Sequence, residues 1–306
     1  MPRISAAGAR FDLLMGHLGL AAAKPVRDRL WKRKREAFWH RGVKGLEFEL
    51  QPGQHIDYYI YTSGAFEKRF LYLVDALLPE KRTALDVGAN IGNHTLFFAG
   101  IFNTVHAFEP NPSVAARLKR NVARNRLDNV FVHQFGLSDQ NAVIPFLVDD
   151  PDNLGRGKFV SDASEGSSEL PVYIGDEIVE NLGARNIDFI KLDVEGHEVQ
   201  ALQGLARTIA ANRPYIAFEF HPADFPAGYF SAFQTLLPDY VFYYCVDRPQ
   251  RKGMISRALA YIGNGGLPWI APLRLPVELG DGKYYQNIIA VPRERQSRSS
   301  LPLPDC

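Results

Sequence analysis

Asp86 lies near the end of an apolar run at residues 83–87, and Gly88, Asn90 and Gly92 follow at every second position. From Ile91 onward the apolar spacing turns helical, through Leu96, Phe97, Ala99 and Ile101. A buried strand, a glycine-bearing turn and a helix N-terminus in that order form a nucleotide-cofactor site. Glycine lets the backbone approach a ligand closely and adopt dihedrals that a Cβ forbids. A second apolar run, 104–108, is followed by Glu109, 23 residues after Asp86. A carboxylate at such a strand tip accepts both hydroxyls of a ribose. Two further runs lead to groups that titrate: 187–192 into Asp193, Glu195 and His197, and 214–220 into Glu219 and His221. Open parallel sheets take ligands in the crevice outside the carboxyl ends of their strands, where these side chains would meet.

The elements that must position them are readable from hydrophobic spacing. Runs at 83–87, 104–108, 130–135, 142–148, 170–174, 187–192, 214–220, 240–246 and 284–291 read as strands. Helical patterns intervene at 70–78, 91–101, 112–126, 176–182 and 197–211. Alternation of this kind specifies an α/β fold, a Rossmann-like, doubly wound and mostly parallel sheet covered on both faces. Residues 46–60 alternate around Pro52-Gly53 and read as a hairpin ahead of the sheet. Residues 149–169, rich in Gly, Ser and Asp, read as a lid or substrate loop. The expected organisation is a basic helical extension at 1–45, one domain at 46–292 and a tail without structure at 293–306.

A chain of 306 residues is long enough to bury a substantial core. Its net charge of +1 argues against a generally basic nucleic-acid binder. The two cysteines, Cys245 and Cys306, make no disulfide framework, which fits a reducing cytoplasm. No apolar run reaches the length of a spanning helix, and Asp12 and His17 interrupt the stretch at 11–23 that would otherwise read as a signal peptide. Residues 24–44 hold nine basic residues against two acidic ones, with Leu30, Trp31, Phe38 and Trp39 interleaved. The favoured reading is a solvated helix whose tryptophans pack on the domain. The alternative is peripheral contact with the anionic inner face of a membrane.

Neither G-x-x-x-x-G-K-[ST] nor G-x-G-x-x-G is present, which argues against a phosphate-cradling or NAD-binding turn. The order acid-x-Gly-x-Asn-x-Gly instead resembles the first motif of class I S-adenosylmethionine (SAM) methyltransferases. Together with GAFE at 64–67, LDVGANIGNHT at 85–95, AFEPNP at 107–112, GLSD at 136–139, IDFIKLDVEGHE at 187–198 and NIIAVP at 287–292, it makes the chain resemble the FkbM-type methyltransferases over roughly residues 55–292. The resemblance implies a sheet of the class I methyltransferase type, SAM as cofactor, and methyl transfer to oxygen on sugars, glycan ends or secondary metabolites. It puts Gly88, Asn90 and Gly92 at the methionine end of the cofactor, with Asp86 orienting the amino group. Glu109 would hold the ribose, and Gly136 and Ser138 would border the adenine. Gly64 and Glu67 would form the edge of the site.

An alcohol acceptor needs a base as its proton leaves. Asp193, Glu195, His197, Glu219 and His221 are the candidates, the two imidazoles because they titrate in the useful range. A metal could lower the acceptor's pKa instead, but no ligand spacing compels one. Tyr58, Tyr59, Phe66, Phe220 and Tyr229 are the aromatics that could stack on a sugar ring. The expected function is O-methylation of a saccharide, glycan or other polyhydroxylated metabolite. An RNA methyltransferase using the basic N-terminus, and a binding protein that keeps the SAM fold without catalysis, are the alternatives.

Overall fold

The computed structural model describes residues 26–148, 157–159, 167–220, 229–246, 269–272 and 285–300. Strands β1 (Phe38–Arg41) and β2 (Glu47–Leu50) pair as an antiparallel hairpin, and helices α1 (His55–Ser63) and α2 (Lys68–Leu77) lead into β3 (Thr83–Val87). The chain continues through α3 (Asn93–Ala99), β4 (Thr104–Phe108), α4 (Pro112–Arg124) and β5 (Val130–His133). Four short strands follow: β6 (Gly136–Ser138), β7 (Ala142–Val148), β8 (Gly157–Phe159) and β9 (Ser168–Ile174). Then come α5 (Gly175–Asn181), β10 (Ile187–Leu192), α6 (Glu198–Gly204), α7 (Ala206–Asn212) and β11 (Tyr215–Phe220). Helix α8 (Phe230–Leu236) and strands β12 (Tyr240–Val246), β13 (Trp269–Pro272) and β14 (Tyr285–Pro292) complete the elements.

Eight strands form the central sheet in the order β13-β12-β14-β11-β10-β3-β4-β5. It is parallel from β5 to β11 and antiparallel across β14, β12 and β13. Strands β3 and β10 lie side by side while β4 and β11 continue outward on opposite flanks. The strand order therefore reverses between β3 and β10, which is where such sheets open a ligand crevice.

Side-chain alternation decides what reaches that crevice. On one face Ala84, Phe189, Ala217 and Ile289 pack with Leu71 of α2 and Phe98 of α3. Two residues further toward the carboxyl ends, the same face carries Asp86, Lys191 and Glu219, joined by Asn287 from the antiparallel β14. Lys191 stands in register with Asp86 of β3 and Ala217 of β11. The opposite face, with Leu85, Val87, Ile190, Ile216, Phe218 and Ile288, packs against Leu202, Ile209 and Phe233 of α6, α7 and α8. One face is thus apolar throughout, and the other turns polar at its carboxyl end.

Several elements differ from the sequence reading. The hairpin lies one strand earlier than expected: β2 is its second arm, and the residues after Pro52-Gly53 form α1. Asp57, Ile60 and Tyr61 are buried there at helical spacing. The hairpin is clamped to α4, since Asn121 and Asn125 accept from the backbone N–H groups of Glu49 and Glu47 at 2.8 Å each. Strands β6 to β9 leave the main sheet and make a second one, ordered β6-β9-β7-β8. The helix expected over 197–211 breaks at Leu205 into α6 and α7. Residues 293–298, expected to lack structure, form a 3-10 helix in which Glu294 pairs with Arg213 at 2.8 Å and the carbonyl of Arg295 accepts from the Tyr215 hydroxyl at 3.2 Å. The lid reading at 149–169 falls mainly outside the described residues.

Of the basic segment, residues 26–31 are helical. Trp31 packs against the rings of Phe38, Tyr58 and Tyr61, and Arg27 donates to the carbonyl of Tyr61 at 2.8 Å. Trp39 stays 41 % exposed, with the Arg124 guanidinium 5.1 Å from its ring. No described helix is long and apolar enough to cross a membrane.

Candidate active site

The turn after β3 is built by three residues with positive φ: Gly88 (+83°), Asn90 (+49°) and Gly92 (+94°). A Cβ on Gly88 would sit 1.8 Å from the carbonyl oxygen of Asp193, so glycine is required for the β3 and β10 loops to touch. The N–H groups of Gly88 and Ala89 both donate to the carbonyl of Phe108, and the N–H of Asp193 donates to Val87. These bonds lock the three strand ends together. Asn90 turns its side chain back to accept from Ile91 at 2.7 Å and aims its N–H at Glu109 Oε2, 2.9 Å away.

Glu109 therefore links two turns, because its other oxygen accepts from the N–H of Asn111 at 2.9 Å. Asn111 in turn caps α4, accepting from Ser113 and Val114 ahead of a proline in the first turn. Burial pushes the Glu109 carboxyl up to about 7, against the pull of the two backbone donors. Each carboxylate oxygen keeps further lone-pair capacity for a ligand hydroxyl.

Asp86 is 1 % exposed and accepts from the Thr95 hydroxyl at 2.5 Å, which holds α3 against β3. Burial raises its pKa, with His94, Thr95 and Lys191 opposing. Its carboxyl is thus buried and held by α3. Asp193 is the more accessible acid, its side chain 25 % exposed and 3.3 Å from the Lys191 ammonium.

Lys191 is the residue that the sequence reading missed. It is 1 % exposed and surrounded by carboxylates. Burial alone would lower its pKa, yet Asp193, Glu67, Glu219 and Asp86 raise it above the ordinary lysine value. Glu219 is half-buried, and its carboxyl is pushed up to about 9, by burial first and by Asp193 next, with Lys191 pulling the other way. Its resting form near neutral pH is the acid, which makes it a donor rather than a base. Glu67 begins α2 at a φ of +47° and binds His94 through one oxygen at 2.9 Å and Asn287 through the other at 2.5 Å. The period-2 pattern of IKLD was the available signal for Lys191, because it puts the lysine on the same face as Asp193.

His197 serves elsewhere. Its Nε2 lies 2.9 Å from the Ser138 hydroxyl, and burial lowers its pKa, with Asp139 opposing. It ties the start of α6 to β6. Ser138 is fully buried, and a Cβ on Gly204 would meet its carbonyl oxygen at 1.7 Å, so β6 and α6 are in backbone contact. Gly136 faces Val172 across β9. Glu195 is exposed, with a φ of +51° in the turn after β10. Glu198 folds back under that turn to accept from Val194 and Gly196 at 3.2 Å each. His221 lies outside the described residues. Of the aromatics, Phe220 is core against Phe230 and Phe233, and Tyr229 packs on Phe233, whereas Tyr59, Phe66 and His55 form an edge-to-face group near the surface.

The geometry suits a cationic nucleoside. Carboxylates predominate at the three strand ends, Glu109 keeps lone-pair capacity on both oxygens, and the Gly88 turn would be filled by any Cβ. Residues 86–244 match the methyltransferase FkbM domain, just over half of the chain. The chain belongs to the FkbM methyltransferase family. Its FkbM domain is SAM-dependent, and the residues at the turn fit that cofactor. A hexuronic acid methyltransferase, AglP, of Haloferax volcanii is 33 % identical over 136 residues, covering 44 % of this chain and 54 % of that protein. The chain thus spans about half the length of that relative. Methyltransferase 1 of Beauveria bassiana is 25 % identical over 195 residues, covering 57 % of this chain and 77 % of its own. A solved FkbM methyltransferase from Methylobacillus flagellatus aligns with a TM-score of 0.42 at 18 % identity, over 74 % of this chain and 56 % of that one. At that score the likeness adds nothing to the family match.

Proposed function

We propose that the protein is an O-methyltransferase acting on a hydroxyl of a saccharide or other polyhydroxylated metabolite. The observation that supports it most is the pair Asp193 and Lys191 at the end of β10, a partly exposed carboxylate held by a buried cation. The archaeal relative named for a hexuronic acid supports a sugar as the acceptor class. SAM, when bound, supplies a methyl carbon made electrophilic by its sulfonium.

Everything else falls to this chain's residues. Gly88, Asn90 and Gly92 shape the turn for the methionine end, and Glu109 takes the ribose hydroxyls. Asp86 contributes counter-charge to the cofactor's ammonium. The backbone of Gly136 and Ser138, stiffened by His197, borders the adenine. Asp193 would take the proton of the acceptor hydroxyl whose oxygen receives the methyl group that SAM would supply. Lys191 holds Asp193 in place for that transfer, and Glu195 lines the outer rim. Alignment of the reacting atoms and exclusion of water supply much of the acceleration in such displacements.

Incubating the purified protein with methyl-labelled SAM and fractionated cell extract tests this reading. Label is expected in a carbohydrate-bearing fraction, in a linkage stable to mild base as an ether is. Label confined to RNA, or released by mild base as from an ester, would overturn it.

A further inference from the structure

Asn287 lies at the crevice end of β14 and is 4 % exposed. Its amide nitrogen donates to Glu67 Oε1 at 2.5 Å, and the other oxygen of Glu67 is bound by His94 at 2.9 Å. Its amide oxygen has no hydrogen-bond partner among the described residues. Turning the amide over would bring that oxygen against a carboxylate, which when ionised only accepts. Glu67 therefore fixes the orientation, with the nitrogen inward and the oxygen free. A buried carbonyl left without a donor is destabilising, and native proteins keep such groups where something else completes them.

The surroundings say what that partner brings. Asp193 and Glu219 end neighbouring strands on the same sheet face, and Lys191, the cation among them, is fully buried and committed to Asp193 at 3.3 Å. Apart from Glu219, which rests as the acid, this end of the crevice offers acceptors. A ligand that fills it must supply donors: one hydroxyl that loses its proton and at least one more for Asn287. A carboxylate would bring only acceptors, and its charge would add to those of Asp86, Glu67 and Asp193.

We infer that Asn287, oriented by Glu67, is a specificity residue that accepts a hydrogen bond from a second, non-reacting hydroxyl of the acceptor, so that the site selects neutral polyols over uronic acids. The inference rests on the O-methyltransferase reading above. It separates this chain from the substrate named for the archaeal relative.

The test uses the full chain saturated with S-adenosylhomocysteine and titrated, by ligand-observed NMR, with the methyl glycosides of glucose, mannose and galactose and with the matching uronides. At least one neutral glycoside is expected to bind more tightly than its uronide. Asn287→Ala is expected to weaken that binding about tenfold, the loss of one buried hydrogen bond, while affinity for S-adenosylhomocysteine stays unchanged. Glu67→Gln, which keeps the shape but loosens the orientation, should weaken it by a smaller factor, and it carries the test should the alanine variant not fold. No binding of any neutral glycoside, equal or tighter binding of the uronides, or unchanged glycoside affinity in the variants would overturn the inference. Failure of the native protein to bind S-adenosylhomocysteine at all would overturn the cofactor site as well, and so tells the two failures apart.

Discussion

Asp193→Asn is expected to bind SAM as the native protein does and to transfer methyl about 10²–10⁴-fold more slowly, the range over which positioned bases act. The substitution keeps the shape of the side chain and removes its basicity. Asp193 is partly exposed and sits beside Lys191, so its loss touches proton transfer more than cofactor contact. His197 cannot take over, because its ring is buried against Ser138. Glu219 is a poor substitute, since it rests protonated near neutral pH. The check is a split: single-turnover rate with any acceptor labelled in the extract experiment, set against calorimetric SAM affinity. A rate within threefold of native, by the same Brønsted reasoning, would remove Asp193 from the role of base.

Lys191→Met carries the second large effect, on stability. Methionine fills the apolar stem's space beside Phe70 but leaves the carboxyls of Asp86, Glu67, Asp193 and Glu219 without their cation. Removing one member of a buried ion pair costs about 3–5 kcal/mol. The loss depends on pH in a direction that can be worked out. Without the ammonium the folded-state pKa values of Asp86 and Glu219 rise further above their unfolded values. A raised carboxyl supports the fold below the unfolded pKa and withdraws that support as pH rises through the folded one. The deficit should therefore be small near pH 5 and larger at pH 9, still growing there because Glu219 ionises at about 9 even with the ammonium in place. Urea melts of both proteins at the two ends of that range decide it. A deficit equal at both, or none, would mean that Lys191 does not neutralise this cluster.

Much of the architecture was legible in the sequence because its signals are local. Strands buried on both faces read as apolar runs, and the three acids at their ends were found by position alone. What was not legible depends on pairing across the sheet. Lys191 looks like one charge in an apolar run until the register of β10 against β3 and β11 shows four carboxylates around it. Asn287 lies 220 residues from Glu67, so no local pattern could join them. The hairpin was misplaced because Pro52-Gly53 is a strong turn signal whether a strand or a helix follows. His197 was read from its place after a strand tip, and its direction toward Ser138 depends on a second sheet that the sequence does not announce.

Calorimetric titration of the native protein and of Glu109→Ala with SAM tests the central claim most directly. The claim is that acids at the ends of β3, β4 and β10 surround one cofactor. The native protein is expected to bind SAM. The variant, which loses the acceptor for two ribose hydroxyls and the bridge between the Asn90 and Asn111 turns, should bind about 100-fold more weakly, as two hydrogen bonds to a charged group imply. Equal affinity of the two proteins for SAM would contradict the account.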